Sequence, residues 1–188
     1  MANLIATLRN AAGGTGVPWR MRWLTGLAGL IVGLTVYGAH AQPGARQSLA
    51  LALDVQGKIA NTNDAAHRTY HFDEAQLLAL PVHTITTSTT WTPRSTFAGP
   101  RLADILKAVG ARGTEIELHT YDDYTYTVPV ADCERYGVIV AYSMNGQRLK
   151  LSDFGPLFLI YPRDAFPELT GAVGNAKFVW QIKALIVK

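Results

Sequence analysis

Cysteine is almost missing from this sequence, since its 188 residues include a single one, Cys133. One thiol excludes a disulfide within the chain, so side-chain packing alone must hold the domain together. The surrounding segment, VPVADCERYG, predicts a short helix after Pro129. Because Arg135 is the only basic neighbour placed to lower the pKa of the thiol, a structural role is favoured over a nucleophilic one.

Long runs of basic residues are missing too. The chain has 17 lysines and arginines against 14 aspartates and glutamates, but Arg9, Arg20 and Arg22 all lie in the first 41 positions. Residues 42–188 therefore carry 14 groups of each sign, and their formal charge is zero. No lysine- or arginine-rich face remains to bind phosphates, which excludes nucleic acid as an expected partner.

Several motifs of well-known catalytic sites are absent as well. The chain contains no glycine-rich phosphate loop, no C-x-x-C, no H-E-x-x-H and no G-x-S-x-G. His67 and His71 are four residues apart, a spacing that presents both rings to one metal only on a helix, whereas a strand or loop is favoured here. His83 and His119 fall on predicted strands. The sequence therefore predicts no catalytic residue and no metal ligand.

Residues 1–41 are predicted to be a cleavable secretory signal peptide. They contain no acidic residue, and an apolar stretch of 16 residues, 23–38, precedes Ala39-His40-Ala41, an A-x-A cleavage pattern. This stretch is short for a membrane-spanning helix, which needs about 20 residues. An uncleaved membrane anchor is the alternative. Met21 opens a compact signal on its own, and we expect it to be the true start.

The rest of the chain is expected to form a mobile lead-in, residues 42–48, followed by one domain, residues 49–188. Its predicted class is α+β: a β-dominated mixed sheet or barrel-like core with about three short helices. One helix is EAQLLAL, for which Asp73 and Gln76 form a capping box. A second starts at Pro100, and its apolar residues recur at helical spacing: Leu102, Ile105, Leu106 and Val109. The third is the helix that contains Cys133.

Alternating or continuous apolar runs predict the strands. Asn145-Gly146 is the strongest hairpin signal in the chain, because both residues tolerate the positive φ of a tight turn. The predicted strands cover residues 49–59, 82–90, 115–121, 124–128, 138–144, 156–161 and 178–187.

Two segments have the composition of a ligand pocket. In Tyr121-Asp122-Asp123-Tyr124, adjacent carboxylates lie between aromatic side chains at a tight turn, although a plain hairpin end has the same composition. Trp91 and Arg94 follow a strand end, and an aromatic ring with a guanidinium can line a pocket. Trp91 covering the core is the alternative.

The ordered set of segments resembles the oxidoreductase molybdopterin-binding domain, the fold of sulfite oxidase. The resemblance spans roughly residues 49–188, and its most specific part is Ala141, Met144-Asn145-Gly146 and Leu149, followed by Gly155-Pro156-Leu157. The other segments that carry it are ALPVHTITTSTTW, FAGPRLADILKAVGA, DDYTYTVP and VWQIKALIV. It implies that fold for the whole domain.

The resemblance also implies where a molybdenum cofactor would be held, and the chain departs from the family there. The family binds the metal through the pterin dithiolene and one cysteine, whose nearest match here is Thr87; a hydroxyl does not replace a thiolate. The family's H-G-x-P-x-R pattern reads DFGPLF over residues 153–158, without the histidine or the phosphate-binding arginine. The basic pair of the C-terminal phosphate site is reduced to Lys177 and Lys183.

The family's pocket region matches this chain at Tyr124, with Asp123 beside it. Together with the two segments above, the resemblance implies a ligand pocket lined by Thr87, Trp91, Arg94, Asp123 and Tyr124.

These departures favour an exported, non-catalytic module that binds a small molecule or a partner such as a membrane-bound sensor, with no cofactor. Exported enzymes of this family travel folded behind a twin-arginine signal, whereas this chain has Arg20-Met21-Arg22. Export by the general secretory route to the periplasm, unfolded and without cofactor, is therefore expected. The alternative is a molybdopterin-dependent oxidoreductase in which Thr87 or solvent supplies the missing ligand. A purely structural or assembly protein is a third possibility.

Overall fold

Eleven strands and four α-helices make up residues 49–188, the part of the chain that the computed structural model describes. The strands are β1 Leu53–Gly57, β2 Tyr70–Phe72, β3 Val82–Thr87, β4 Ser95–Pro100, β5 Glu115–Thr120, β6 Thr125–Pro129, β7 Ile139–Ala141, β8 Ser143–Met144, β9 Gln147–Arg148, β10 Phe158–Ile160 and β11 Ile182–Val187. The helices are α1 Glu74–Ala79, α2 Leu102–Ala108, α3 Ala131–Tyr136 and α4 Gly171–Ala176. The predicted signal peptide and lead-in lie outside the described residues.

The largest sheet has five strands in the order β2-β1-β11-β5-β6. All neighbours are antiparallel except β1 and β11, which run parallel with Val55 opposite Leu185. Alternate residues are fully buried along β5 and at Leu53 and Val55 of β1, as the period of a strand requires. In β11 a register shift between Ile182 and Ala184 interrupts the alternation, and Ile182, Leu185 and Val187 are buried. The last strand of the chain is therefore the central strand of this sheet.

A second sheet has the order β3-β4-β8-β9, and the predicted Asn145-Gly146 hairpin joins its last two strands. Both turn residues have positive φ, 51° and 77°, which is the conformation of a two-residue hairpin turn. The Asn145 side chain also accepts a hydrogen bond from the backbone N–H of Thr96 at 2.9 Å, which ties the turn to β4.

A third, two-stranded sheet pairs β7 with β10, and every residue of both strands is buried. This is the continuous apolar run that the sequence predicts for a buried strand. The Phe158 ring packs against four other aromatic rings, those of Phe97, Phe154, Phe178 and Trp180.

The predicted capping box of α1 is present, and the four apolar residues of α2 are buried together. The predicted start of α2 is wrong. Pro100 is the last residue of β4, paired with Val82, and Arg101 precedes the first helical residue, Leu102. Proline has no N–H to donate to a neighbouring strand, but this loss is tolerated at the end of a strand. The extended structure therefore continues to this position.

The predicted class is confirmed: the described part of the chain is β-rich, with mixed sheets and short helices, four rather than about three. Its sheets are open, and none of the strands described closes a barrel. The helix that the sequence did not predict is α4. Among residues 49–188, no helix is long and apolar enough to cross a membrane.

Candidate functional site

A cavity of about 410 Å³ lies at one end of the large sheet. Four pieces of chain enclose it: the loop between β3 and β4, the turn between β5 and β6, helix α4, and residues 178–180 just before β11. Its aromatic lining consists of Trp91, Tyr124, Phe178 and Trp180, and its polar lining of Thr120, Asp122 and Asn175. Ala172, Ala176 and Val179 complete the wall.

The two tryptophans form the aromatic centre of the lining. Their rings meet edge to face, with centroids 4.7 Å apart. Trp180 is held from behind by Phe158, whose backbone bridges to it, so its position is set by the core. Trp91 is 44% exposed, and its loop is fixed by the Thr89 hydroxyl oxygen, which accepts from the backbone N–H of Trp91 at 3.1 Å.

Asp122 gives the cavity its charge. Its carboxylate accepts hydrogen bonds from the Thr120 hydroxyl and, at 3.4 Å, from the backbone N–H of Tyr124. The Thr120 hydrogen bond, followed by that of the Tyr124 N–H, lowers the pKa of Asp122 below its ordinary value, so the group is ionised at neutral pH. The Tyr121 N–H donates to the Gln181 carbonyl at 3.0 Å, which fixes this turn beside Trp180.

Helix α4 forms the wall opposite the turn. A Cβ on Gly174 would lie 2.1 Å from the Leu169 carbonyl oxygen, so glycine is required for the helix to pack this closely on the preceding residues. Asn175 Oδ1 is buried and has no hydrogen-bond partner among the described residues. Because this oxygen is shielded from solvent, Asn175 borders the cavity with its other atoms.

The structure divides the predicted pocket residues. Trp91 and Tyr124, which are 33 positions apart, line the same cavity. Asp123 does not line it: its side chain is 89% exposed and accepts a hydrogen bond from Lys183 Nζ at 2.8 Å. Its neighbour Asp122 lines the cavity instead, because Asp123 takes the positive-φ position of the turn, with φ of 63°.

Thr87 and Arg94 belong to a separate polar cluster around Asp164. The Asp164 carboxylate accepts from the Ser88 hydroxyl at 2.6 Å and from Arg94 at 2.8 Å. These contacts, the Ser88 hydroxyl first, lower the pKa of Asp164. Thr87 is fully buried, and its hydroxyl oxygen accepts from the Asp164 backbone N–H at 3.1 Å. The cluster fastens the β3–β4 loop that carries Trp91 to residue 164.

Residues 49–188 thus form a β-rich domain with an aromatic-lined cavity at one end of its large sheet. The family model for the oxidoreductase molybdopterin binding domain matches residues 58–185, and the chain belongs to that family. The crystal structure of the sulfane dehydrogenase SoxCD from Paracoccus pantotrophus is similar, with a TM-score of 0.53 and 17% identity. That match covers 72% of this chain and 37% of the SoxCD chain, so this protein spans well under half of its length. No curated protein matches the sequence of this chain.

The family is a molybdopterin-binding one, and the donor set of this chain does not fit the metal. Thr87, the match to the cysteine ligand, is a buried hydroxyl engaged with the backbone of residues 88 and 164. The chain's one thiol, Cys133, is buried in the hydrophobic core on α3 and does not line the cavity. Residues 49–188 hold no group of three or more His, Cys, Asp or Glu side chains placed to bind a metal.

The cavity lining does not suit the phosphate group of a pterin cofactor either. No lysine or arginine is among the residues that line the cavity. Lys177 and Lys183, at the positions of the family's basic pair, are each paired with a carboxylate, Asp132 and Asp123 respectively. An ionised Asp122 in the lining would repel a phosphate.

Cys133 is expected to be unreactive in the folded protein. Burial, reinforced by the neighbouring Asp132 carboxylate, raises the pKa of its thiol to about 12. We predict no alkylation by iodoacetamide at pH 8 under native conditions and complete alkylation in denaturant, measured by intact mass. Rapid native labelling would contradict the structural role.

Proposed function

We propose that this protein is an exported, non-catalytic member of the molybdopterin-binding-domain family that binds a small organic molecule in the aromatic cavity. The observation that carries the proposal is the replacement of the family's cofactor chemistry at the site. The match to the thiolate ligand is a buried hydroxyl, Thr87, and among residues 49–188 no lysine or arginine lines the aromatic cavity. The cavity volume lies within the range of small-molecule sites, about 300–1,000 Å³.

Export supports the same proposal. With a general secretory signal over residues 1–41, the chain crosses the membrane unfolded and reaches the periplasm without a cofactor inserted in the cytoplasm. Once folded there, the domain binds its ligand and presents it to a membrane-bound sensor or another partner protein. Cell fractionation that finds the mature protein in the cytoplasm would remove this support.

The competing function is a molybdopterin-dependent oxidoreductase with an atypical metal site. Family membership is the observation that favours it. In that case Thr87 or solvent would stand beside the metal, and the Asp164 N–H that now donates to the Thr87 hydroxyl would have to be repositioned.

Native mass spectrometry of the full-length protein, taken from its source cells, tests ligand binding directly. We expect the wild-type protein to carry the added mass of a small organic molecule and Tyr124→Ala to lose it, because Tyr124 lines the cavity and is half exposed at its rim.

Leu78→Ala is the matched control for this experiment. Leu78 is an exposed residue of α1 that belongs neither to the cavity lining nor to the Asp164 cluster that holds the Trp91 loop, so the variant should retain the ligand. Equal retention by both variants would show that the cavity is not the ligand site.

A further inference from the structure

The charge of the cavity lining restricts what the cavity can bind. Within residues 49–188, Asp122 is the one lining residue with a formal charge, and no lysine, arginine or histidine lines the cavity. The hydrogen bonds that hold Asp122 in its turn keep it ionised at neutral pH. An anionic ligand would therefore meet an unneutralised carboxylate, whereas a cation would find its counter-ion already in place.

The aromatic rings of the lining also favour a cation. The rings of Trp91, Trp180 and Tyr124 all border the cavity, and the negative face of an aromatic ring attracts ammonium groups, most strongly for tryptophan. Quaternary ammonium groups are commonly recognised by such aromatic cages, because they are weakly hydrated and bind without a dedicated hydrogen-bond donor or acceptor.

We propose that the cavity is a binding site for a small organic cation, an alkylated ammonium compound. The inference rests on the proposed ligand-binding function and assigns the ligand's chemical class. The ammonium group lies among Trp91, Trp180 and Tyr124 with Asp122 as counter-ion. This preference is opposite in charge to the phosphate-bearing pterin of the family.

Choline and its neutral isostere 3,3-dimethylbutan-1-ol make a matched pair of probes, since choline has a positively charged nitrogen where the isostere has a carbon. The four tryptophans of the chain are Trp19, Trp23, Trp91 and Trp180. In the full chain carrying Trp19→Phe and Trp23→Phe, fluorescence reports on the two cavity tryptophans alone. We expect choline to change this fluorescence saturably and to bind about tenfold more tightly than the isostere.

Two adjacent carboxylates supply the matched variants. Asp122→Asn keeps an acceptor oxygen for the Thr120 hydroxyl but removes the charge, and we expect it to weaken choline about tenfold while leaving the isostere unchanged. Asp123→Asn, which alters an exposed carboxylate outside the lining, should bind choline like the wild type at physiological salt.

The outcomes separate the two proposals. If the isostere binds as tightly as choline, or if both Asn variants respond alike, the cation assignment is overturned while the cavity stands as a ligand site. If neither probe changes the fluorescence, the cation assignment also fails. The native mass spectrum with Tyr124→Ala then decides independently whether the cavity holds any ligand.

Discussion

Replacing Asp132 with alanine is expected to lower the free energy of unfolding by about 3–5 kcal/mol. Asp132 is 8% exposed, and its carboxylate accepts hydrogen bonds from Lys177 Nζ and, at 2.9 Å, from the Tyr161 hydroxyl. Alanine leaves the Lys177 ammonium, on a side chain that is 17% exposed, without its counter-ion. Because Lys177 directly follows α4, the substitution also loosens the helix that walls the cavity. Equilibrium denaturation with urea measures the loss.

Two variants control for this result. Glu134→Ala changes an exposed carboxylate on the same helix, α3, and should stay within about 0.5 kcal/mol of the wild type. Asp132→Ala combined with Lys177→Met removes both charges and should recover part of the stability. A loss below about 1 kcal/mol for Asp132→Ala alone, the size typical of a surface ion pair, would contradict a buried one.

Phe158→Ala is expected to destabilise the domain by about 3–5 kcal/mol as well. The Phe158 side chain is fully buried on β10 and stacks on Phe154 with ring centroids 5.1 Å apart. It also meets Trp180 edge to face at 6.2 Å, so the void that alanine creates lies behind a residue that lines the aromatic cavity. Thermal and urea unfolding, followed by circular dichroism, measure the effect.

Phe158→Leu provides the graded comparison, because it retains most of the buried volume and should cost about 1–2 kcal/mol. In either variant Trp180 loses the Phe158 ring but keeps Trp91 and Phe154 as neighbours, so we expect the near-ultraviolet circular dichroism to change in both. Equal stability of the alanine and leucine variants would mean that the aromatic core is not packed as described.

Local sequence signals predicted much of the fold. The Asn145-Gly146 turn, the capping box of α1 and the buried face of α2 each depend on a few adjacent residues, and all are present. Helix α4 was not predicted because its sequence, GAVGNA, contains two glycines and no apolar periodicity. Its helical form depends on the close approach of Gly174 to Leu169, which is a tertiary contact.

The site, too, was predicted where local sequence signals decide it and not where tertiary contacts do. Trp91 and Tyr124 were predicted as pocket residues, and the cavity includes both. The sequence pointed to Asp123, whereas its neighbour Asp122 lines the cavity, since the backbone of the turn decides which carboxylate faces it. Thr87 and Arg94 were grouped with the pocket because the sequence does not reveal Asp164, 70 positions beyond Arg94, as their partner.

The chain keeps the fold of its family but differs from the family at the positions that would hold the cofactor. Residues 58–185 belong to a molybdopterin-binding family, and the strands and turns that define this fold are retained. The side chains that would serve the cofactor are replaced: a hydroxyl bound to the backbone at Thr87, and a lining whose one charge is negative. A shared fold does not establish a shared activity, and the lining residues carry the functional argument.

Metal analysis of the full-length protein purified from its source cells is the most direct test of the claim that this family member works without the family's cofactor. We predict molybdenum at background level, because no thiolate and no phosphate-binding cation lines the cavity. Molybdenum approaching one atom per chain would contradict the proposal and assign the protein to the oxidoreductases.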